Sequence, residues 1–356
     1  MWDATVFYWR VRRFLRDKRI AVFPAFESLR HRFYRELWAE VGAALDLPLE
    51  DFGHGFLRLG SADHHTFVLE AKVMLDDHLS LRVAGNKPLV HRLLTERGYP
   101  VQDFREYRIS DLDTAERFIR ESDSACVIKP AAGSGAGNGI TTKIRTRKQL
   151  RLASLWAATF SPRLLIEREI PGDSYRLLYL GGKLIDAVRR DPPAVTGDGR
   201  ATIAELLQRE TRARLADAEI VALSPLVPDL ESRYHLAAQG KTLRSVPADG
   251  ERVVVKTVCN QNRRTENHKV TADVHPDTVA MGERIARLFN LELVGVDLIT
   301  PDVSQPLAAV DGVVNEINTN PGIHHHYLVS NPEAGEAVAP RIIDYILSKQ
   351  RRLEPL

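Results

Sequence analysis

Cysteine is nearly absent from this sequence: Cys126 and Cys259 are the only two, far apart and with no CxxC pairing or neighbouring ligand set. That argues against a disulfide framework or a structural zinc site and fits a reducing, cytosolic compartment. Long apolar runs are missing as well, so no segment reads as a membrane span. The N-terminus offers no clean apolar stretch after its first charges, as a secretory signal would need. It interleaves Trp2, Val6, Phe7, Tyr8, Trp9 and Phe14 with Arg10, Arg12, Arg13 and Arg16. A basic amphipathic helix of this kind either packs on its own domain, the commoner outcome, or lies on a membrane surface. Charge of one sign is also scarce. The formal net charge is +2, and nothing in it demands a nucleic acid partner. There is no internal repeat and no low-complexity tract. What remains is the composition of an ordinary globular enzyme, 44% apolar and 27% charged. Its 356 residues are too many for one ordinary core and suggest two or three subdomains.

Patterning places the elements. Leu29, Phe33, Leu37 and Val41 recur at helical spacing within Glu27–Leu45. Asn86 to Arg97 reads as a helix with an asparagine cap and Pro88 in its first turn. Strand and helix signals then alternate: helix over Leu112–Ser122, strand over Ala125–Lys129, helix over Arg145–Phe160, strand over Arg163–Glu167. Tyr175–Leu180 and Lys183–Arg189 flank Gly181-Gly182, a compact hairpin signal. Toward the C-terminus, a helix through Met281, Ile285 and Leu288 precedes strands at Leu293–Ile299 and Val313–Asn318, and Ile342–Leu347 lies in a closing helix. The expected class is α+β (mixed α/β).

Three stretches carry chemistry. In Val127–Gly139 (VIKPAAGSGAGNG) a strand delivers Lys129, and Gly133, Gly135, Gly137 and Gly139 follow. Such a glycine density frees backbone N–H groups to wrap phosphate oxygens. The lysine precedes the glycines, so this is not a P-loop, and no helix opens directly, so it is not a dinucleotide fingerprint. A flexible surface loop is the plain alternative. In the second stretch, Glu316 and Asn318 project from one face of a strand, and Asp297 can converge on them if the strand ending near Ile299 pairs alongside. Two carboxylates and an amide oxygen are hard donors suited to Mg²⁺ bound jointly with a triphosphate; solvated strand ends are the alternative. The third, Leu164–Arg176 (LLIEREIPGDSYR), reads as a linker between two lobes whose backbone could meet an adenine edge.

These stretches occur in the order of the ATP-grasp superfamily. More closely, the chain resembles the ATP-grasp portion of cyanophycin synthetase and of bifunctional glutathione synthetases. The matching strings are Ala84-Gly85-Asn86-Lys87, VIKPAAGSGAGNGITT, IPGDSYRLLYLGGKLIDAVRRDPPAVTGDGRATIAELL, GVDLITPDVSQP and EINTNPGIHHH. The resemblance runs from about Gly85 to Leu347. It implies an ATP-grasp fold with an N-terminal subdomain over 1–85, a central segment over 86–124, a small lid over 125–190 and a C-terminal metal-holding lobe over 191–356.

It further implies ATP between two lobes, with Lys87 and Lys129 on its phosphates and the loop of Gly133, Ser134, Gly135 and Gly137 closed over them. Glu167 would accept from the adenine amino group, and Glu169 and Ile170 would read the ring edge. Asp297, Glu316 and Asn318 would hold Mg²⁺, two ions by the family pattern. The activity implied is joining a carboxylate to an amine through an acyl phosphate, with small-molecule or peptide substrates.

Departures from the relatives are informative. Ser174 stands where they carry an acid for the ribose, with Asp173 one position earlier as its substitute. Lys256 replaces an arginine that stabilises the acyl phosphate, and Arg263-Arg264 replace a pair of glycines. Paired arginines suit a substrate carboxylate or phosphate, with a solvated basic turn as the alternative. Of His324-His325-His326, one histidine, taken here as His324, is a better substrate contact than the three are a zinc site. Arg176, Arg189 and Arg190 line the hairpin beyond the linker; surface charge is the plain alternative, and the resemblance implies that some face the substrate, with Arg176 taken as catalytic and Arg189 as substrate-binding. Neither the second ligase half of cyanophycin synthetase nor the cysteine ligase of the glutathione enzymes lies in these residues. One bond on a small metabolite or peptide is therefore expected. Addition to a protein tail, a non-catalytic ATP-binding module and a homodimer stay open.

Overall fold

The structure, a computed structural model, describes residues 2–19, 22–133, 135 and 137–351. Helices α1 (Trp2–Arg19) and α2 (Val22–Ala44) precede a four-stranded antiparallel sheet of β1 (Leu49–Asp51), β2 (Leu57–Gly60), β3 (His65–Leu69) and β4 (Lys72–Val73). The apolar stripe expected in α2 is the face it buries. Tyr34, Leu37, Trp38 and Val41 enter one core with Leu59 and Val68 of the sheet, while Leu29 and Phe33 pack at its edge. Trp38 is fully buried, and its indole N–H donates to the Glu70 carbonyl at 2.9 Å. Trp38→Ala should therefore lower unfolding stability by about 3–5 kcal/mol, read as a shifted urea midpoint; an unshifted midpoint would remove this core from the stable fold.

Helices α3 (His78–Ala84) and α4 (Lys87–Glu96) follow. The Asn86 side chain caps α4 by accepting from the Leu89 amide, as the sequence implied. Next comes a second four-stranded antiparallel sheet, in the order β5 (Phe104–Tyr107), β8 (Leu164–Arg168), β6 (Cys126–Pro130), β7 (Thr141–Ile144). Helices α5 (Leu112–Glu121) and α6 (Arg147–Ala158) cover it, and Phe118, Ile128, Ile144, Leu150 and Ile166 form the shared core. Helix α1 packs on α6: Val6 is buried in this core, and the Arg13 guanidinium lies 3.9 Å from the Phe160 ring centre.

A five-stranded antiparallel sheet makes the third body. Its order is β13 (Asn267–Lys269), β10 (Lys183–Arg190), β9 (Asp173–Leu180), β14 (Leu293–Thr300), β15 (Val313–Asn318). Around it lie a small pair β11 (Ala194–Thr196) and β12 (Arg252–Val254) and helices α7 (Ile203–Ala216), α8 (Leu230–Ala238), α9 (Pro276–Leu288) and α10 (Val338–Arg351). Gly181 and Gly182, both at positive φ, form the expected turn between β9 and β10. The central strands are covered on both faces. Leu178 and Leu180 join the core under α2 and α10, whereas Leu177, Tyr179, Val294 and Val296 pack with α4 and α9.

This pairing divides the segment 125–190 that the sequence grouped as one lid. β9 bonds along its length to β14, so the chain changes sheets at the turn Ile170–Gly172 and the hairpin belongs with the metal-candidate strands. No described helix is long and apolar enough to cross a membrane.

Candidate active site at the seam of two sheets

Lys129 leaves β6 beside Glu167 of β8. Its ammonium lies 2.7 Å from the Glu167 carboxylate, with both side chains buried. His91 of α4 approaches the other carboxylate oxygen at 3.2 Å. Burial pushes the Glu167 carboxyl up, but Lys129 and His91 outweigh it and hold the group down at about 2. Gln102 donates to Glu167 and, from the same amide nitrogen, to the Asn315 side-chain oxygen of β15, each at 3.1 Å. One buried side chain thus ties the two sheets together.

Lys87 opens α4, where the asparagine cap fixes its direction. Its ammonium meets Glu316 of β15 at 2.5 Å, and its backbone N–H donates to the Ala131 carbonyl just past β6.

Asp297 is the centre of the third group. It faces Arg176 across β9 and Glu316 across β15. The Arg176 fork grips both carboxylate oxygens, at 2.7 and 2.8 Å, and Arg190 adds a third bond at 2.8 Å. Burial alone would raise the Asp297 carboxyl; the two guanidiniums hold it down at about 2. Charge-assisted bidentate bonds of this kind are among the strong ones.

Arg190 enters here in place of Arg189, and the reason is one residue of backbone. Counting back from the two-glycine turn would set Arg189 opposite Ser174, on the face of Arg176. A bulge between Leu184 and Asp186 shifts the register, so Arg190 is the partner of Ser174. Arg189 consequently turns to Asp191 at 3.0 Å. Ser174 accepts from Arg190 at 2.9 Å, while Asp173, on the opposite face, is exposed.

Other expected contacts are engaged elsewhere. Lys256 is buried and paired with Asp229, the cap of α8, at 2.8 Å. Arg263 and Arg264 turn to Glu210 and Glu219, which neutralise them at the edge of the lobe. Glu169 pairs with Lys143, and its backbone N–H is taken by the Ala125 carbonyl, so that amide is not open to a ring edge; Ile170 beside it is half-buried. His324 shares a hydrogen bond with Tyr34 at 2.9 Å and lines a narrow polar cleft with His325, Asn260 and Asn262. Burial, then Arg176, push His324 down to about 3, so it is neutral.

Gly133, Gly137 and Gly139 all adopt positive φ. At Gly137 a Cβ would sit 2.3 Å from Val258, so this loop rests directly on the segment after Lys256. Gly133 and Gly135 are exposed, and Ser134 lies outside the described residues.

Asp297, Glu316 and Asn318 offer only oxygen donors on adjoining strands, a set whose chemistry fits Mg²⁺ shared with phosphates. Among the described residues, no three His, Cys, Asp or Glu side chains converge as ligands by themselves. Sequence reasoning missed His91, Gln102 and Asn315. His91 lies four residues after Lys87, hence on the same helix face, which was a readable signal.

No protein-family model matches the chain. It is 32% identical over 250 residues to cyanophycin synthetase from Trichormus variabilis, covering 70% of this chain and 27% of that protein. It is 25% identical over 304 residues to a glutathione biosynthesis bifunctional protein from Clostridium perfringens, covering 83% of this chain and 38% of that one. The chain therefore spans well under half the length of these curated relatives. Among solved structures, a bifunctional glutathione synthetase from Pasteurella multocida superposes with a TM-score of 0.51 at 22% identity, over 85% of this chain and 41% of that one. By fold and by sequence kinship, the chain is a relative of the ATP-grasp ligases.

Proposed function

We propose that this chain is an ATP-dependent carboxylate–amine ligase. What carries the reading is the meeting of three cation–carboxylate groups where two sheets join: Lys129 with Glu167, Lys87 with Glu316, and Arg176 and Arg190 with Asp297. Four cations at one seam suit a triphosphate, and three carboxylates keep them charged and aimed until it arrives. The kinship with synthetases supports the same reading.

In the reaction, a substrate carboxylate oxygen attacks the γ-phosphorus, and the β,γ-bridging oxygen leaves with ADP. The amine then attacks the acyl carbon, phosphate departs, and the amine proton ends on phosphate. Lys87 and Lys129 neutralise the phosphate chain, Glu167 orients Lys129, and Arg176 holds charge next to the acyl phosphate. Mg²⁺, held by Glu316, Asn318 and Asp297, would supply Lewis-acid neutralisation of the transferring phosphoryl group. The sheet of β5–β8 acts as the lobe over ATP, and Gly133–Gly139 excludes water from the reactive intermediate. Two free, buried thiols accord with a reducing compartment.

The test is release of ADP and phosphate from Mg·ATP against a matrix of amino acids, dipeptides and small carboxylic acids. Release that requires both an acid and an amine, with a product one water lighter than their sum, is expected. Tight ATP binding with no release from any mixture or from peptide acceptors would overturn the ligase.

A further inference from the structure

Helix α1 is apolar on two faces, and the fold uses one of them. Val6 is buried in the core beneath α6, and Trp2 and Trp9 pack at the edge of that core. Phe7, Val11 and Phe14 recur at i, i+4 and i+7, which sets them on another face of the same helix. That face looks outward. Phe7 is 68% exposed, Tyr8 beside it 57% and Phe14 56%, with Val11 exposed between them. Single exposed apolar residues are ordinary, but a continuous stripe of them marks a contact surface.

Charge says what that surface meets. The sequence of the helix holds six basic residues, Arg10, Arg12, Arg13, Arg16, Lys18 and Arg19, against Asp3 and Asp17. That is a surplus of four in a chain whose formal net charge is +2, so the rest of the chain is net acidic. At about 100° per residue, Arg10 and Arg12 fall on either side of the apolar stripe, and both are exposed. The Arg12 guanidinium lies 5.7 Å from the Tyr8 ring centre, and Arg10 donates to the Ala158 carbonyl at 3.4 Å. Arg151 of α6, exposed and 5.3 Å from the Trp2 ring centre, continues the basic rim. An apolar stripe between arginines matches an anionic lipid leaflet, whose headgroups take the guanidiniums and whose acyl boundary takes the rings. A nucleic acid would draw on the arginines and give Val11 nothing to pack against.

We propose that α1 docks the chain on an anionic membrane surface, with Phe7, Tyr8 and Val11 entering the headgroup boundary and Arg10 and Arg12 pairing with lipid phosphates and carboxylates. The helix lies in the plane of the surface and does not cross the bilayer. Its place in the fold leaves the seam clear. Along β6 and β8, Ile128 and Ile166 point into the core under α6, whereas Lys129 and Glu167, one residue on in each strand, point to the seam. α1 therefore stands behind the sheet, and a membrane against it leaves the nucleotide face open. The docking surface goes beyond the ligase reading and does not rest on it.

The test is flotation of the full chain with vesicles of equal parts phosphatidylserine and phosphatidylcholine, beside vesicles of phosphatidylcholine alone. Binding to the mixed vesicles is expected, with little to the neutral ones. Added salt should release the chain, because each basic side chain near an anionic surface contributes about fivefold and that share decays within a Debye length. Phe7→Ser combined with Val11→Ser should weaken vesicle binding at least about tenfold. The melting temperature of this variant should not change, since both side chains already face water. Arg12→Glu should weaken binding to the mixed vesicles and flatten its salt dependence. No binding to the mixed vesicles, equal binding to the neutral ones, or undiminished binding by the double variant overturns the docking surface. So does a dimer, or capture of an oligonucleotide, that the double variant abolishes while wild type ignores vesicles. Whether the chain releases ADP bears on none of these results.

Discussion

Asp297→Asn is expected to abolish turnover and to destabilise the chain by about 3–5 kcal/mol, the usual cost of removing one partner from a buried ion pair. Asparagine keeps the shape of the side chain and one acceptor oxygen. It deletes the charge that two buried guanidiniums share, and among the described residues neither Arg176 nor Arg190 forms an ion pair with another carboxylate. Urea unfolding at unchanged slope should show the loss as a lower midpoint. The acid limb carries a second signature. The Asp297 carboxyl is depressed from its ordinary 3.8 to about 2, so its stabilising contribution is full above the ordinary value and is lost as pH falls through about 2. The gap between wild type and variant should therefore close in that window and stay constant at neutral pH. A midpoint equal to wild type at pH 7 would mean that the two arginines do not depend on Asp297.

Glu316→Gln should reduce turnover by about 10²–10³-fold while weakening ATP far less. Glutamine still accepts the hydrogen bond from Lys87, so α4 stays anchored to β15. What disappears is the negative charge that a magnesium–phosphate complex would meet on the open side of β15. Single-turnover formation of ADP, set beside an equilibrium ATP titration, separates these two effects. Turnover at the wild-type rate would remove Glu316 from the metal set. A parallel collapse of ATP affinity would assign it to ground-state binding instead.

The elements were legible where local chemistry decides them. The α4 cap, the two-glycine hairpin and the apolar stripe of α2 all follow from residue type and spacing, and all are present. The pairing of Asp297 with Glu316 followed from strand alternation once the two strands were placed side by side. Pairing partners over long sequence distances were not legible. Arg263 and Arg264 were read as substrate cations and Lys256 as an acyl-phosphate cation, and nothing local reveals that Glu210, Glu219 and Asp229 arrive beside them from α7, its following turn and the start of α8. The choice between Arg189 and Arg190 was obscured differently. Alternation is a count, and a single unpaired residue in β10 changes its parity for everything downstream.

Gln102 bears on how the halves of the molecule move. Its one amide nitrogen touches Glu167 on one sheet and Asn315 on the other, and the neighbouring Pro100 carbonyl accepts from Val314 of β15. The glycine loop makes a second joint, since Gly137 rests on Val258. Lys129 and Glu167 lie beside the first joint, and the glycine loop follows just past the same end of β6. Base and phosphates would both meet a fixed wall at Glu167 and Lys129, and any swing of the sheets would be felt at their outer edges.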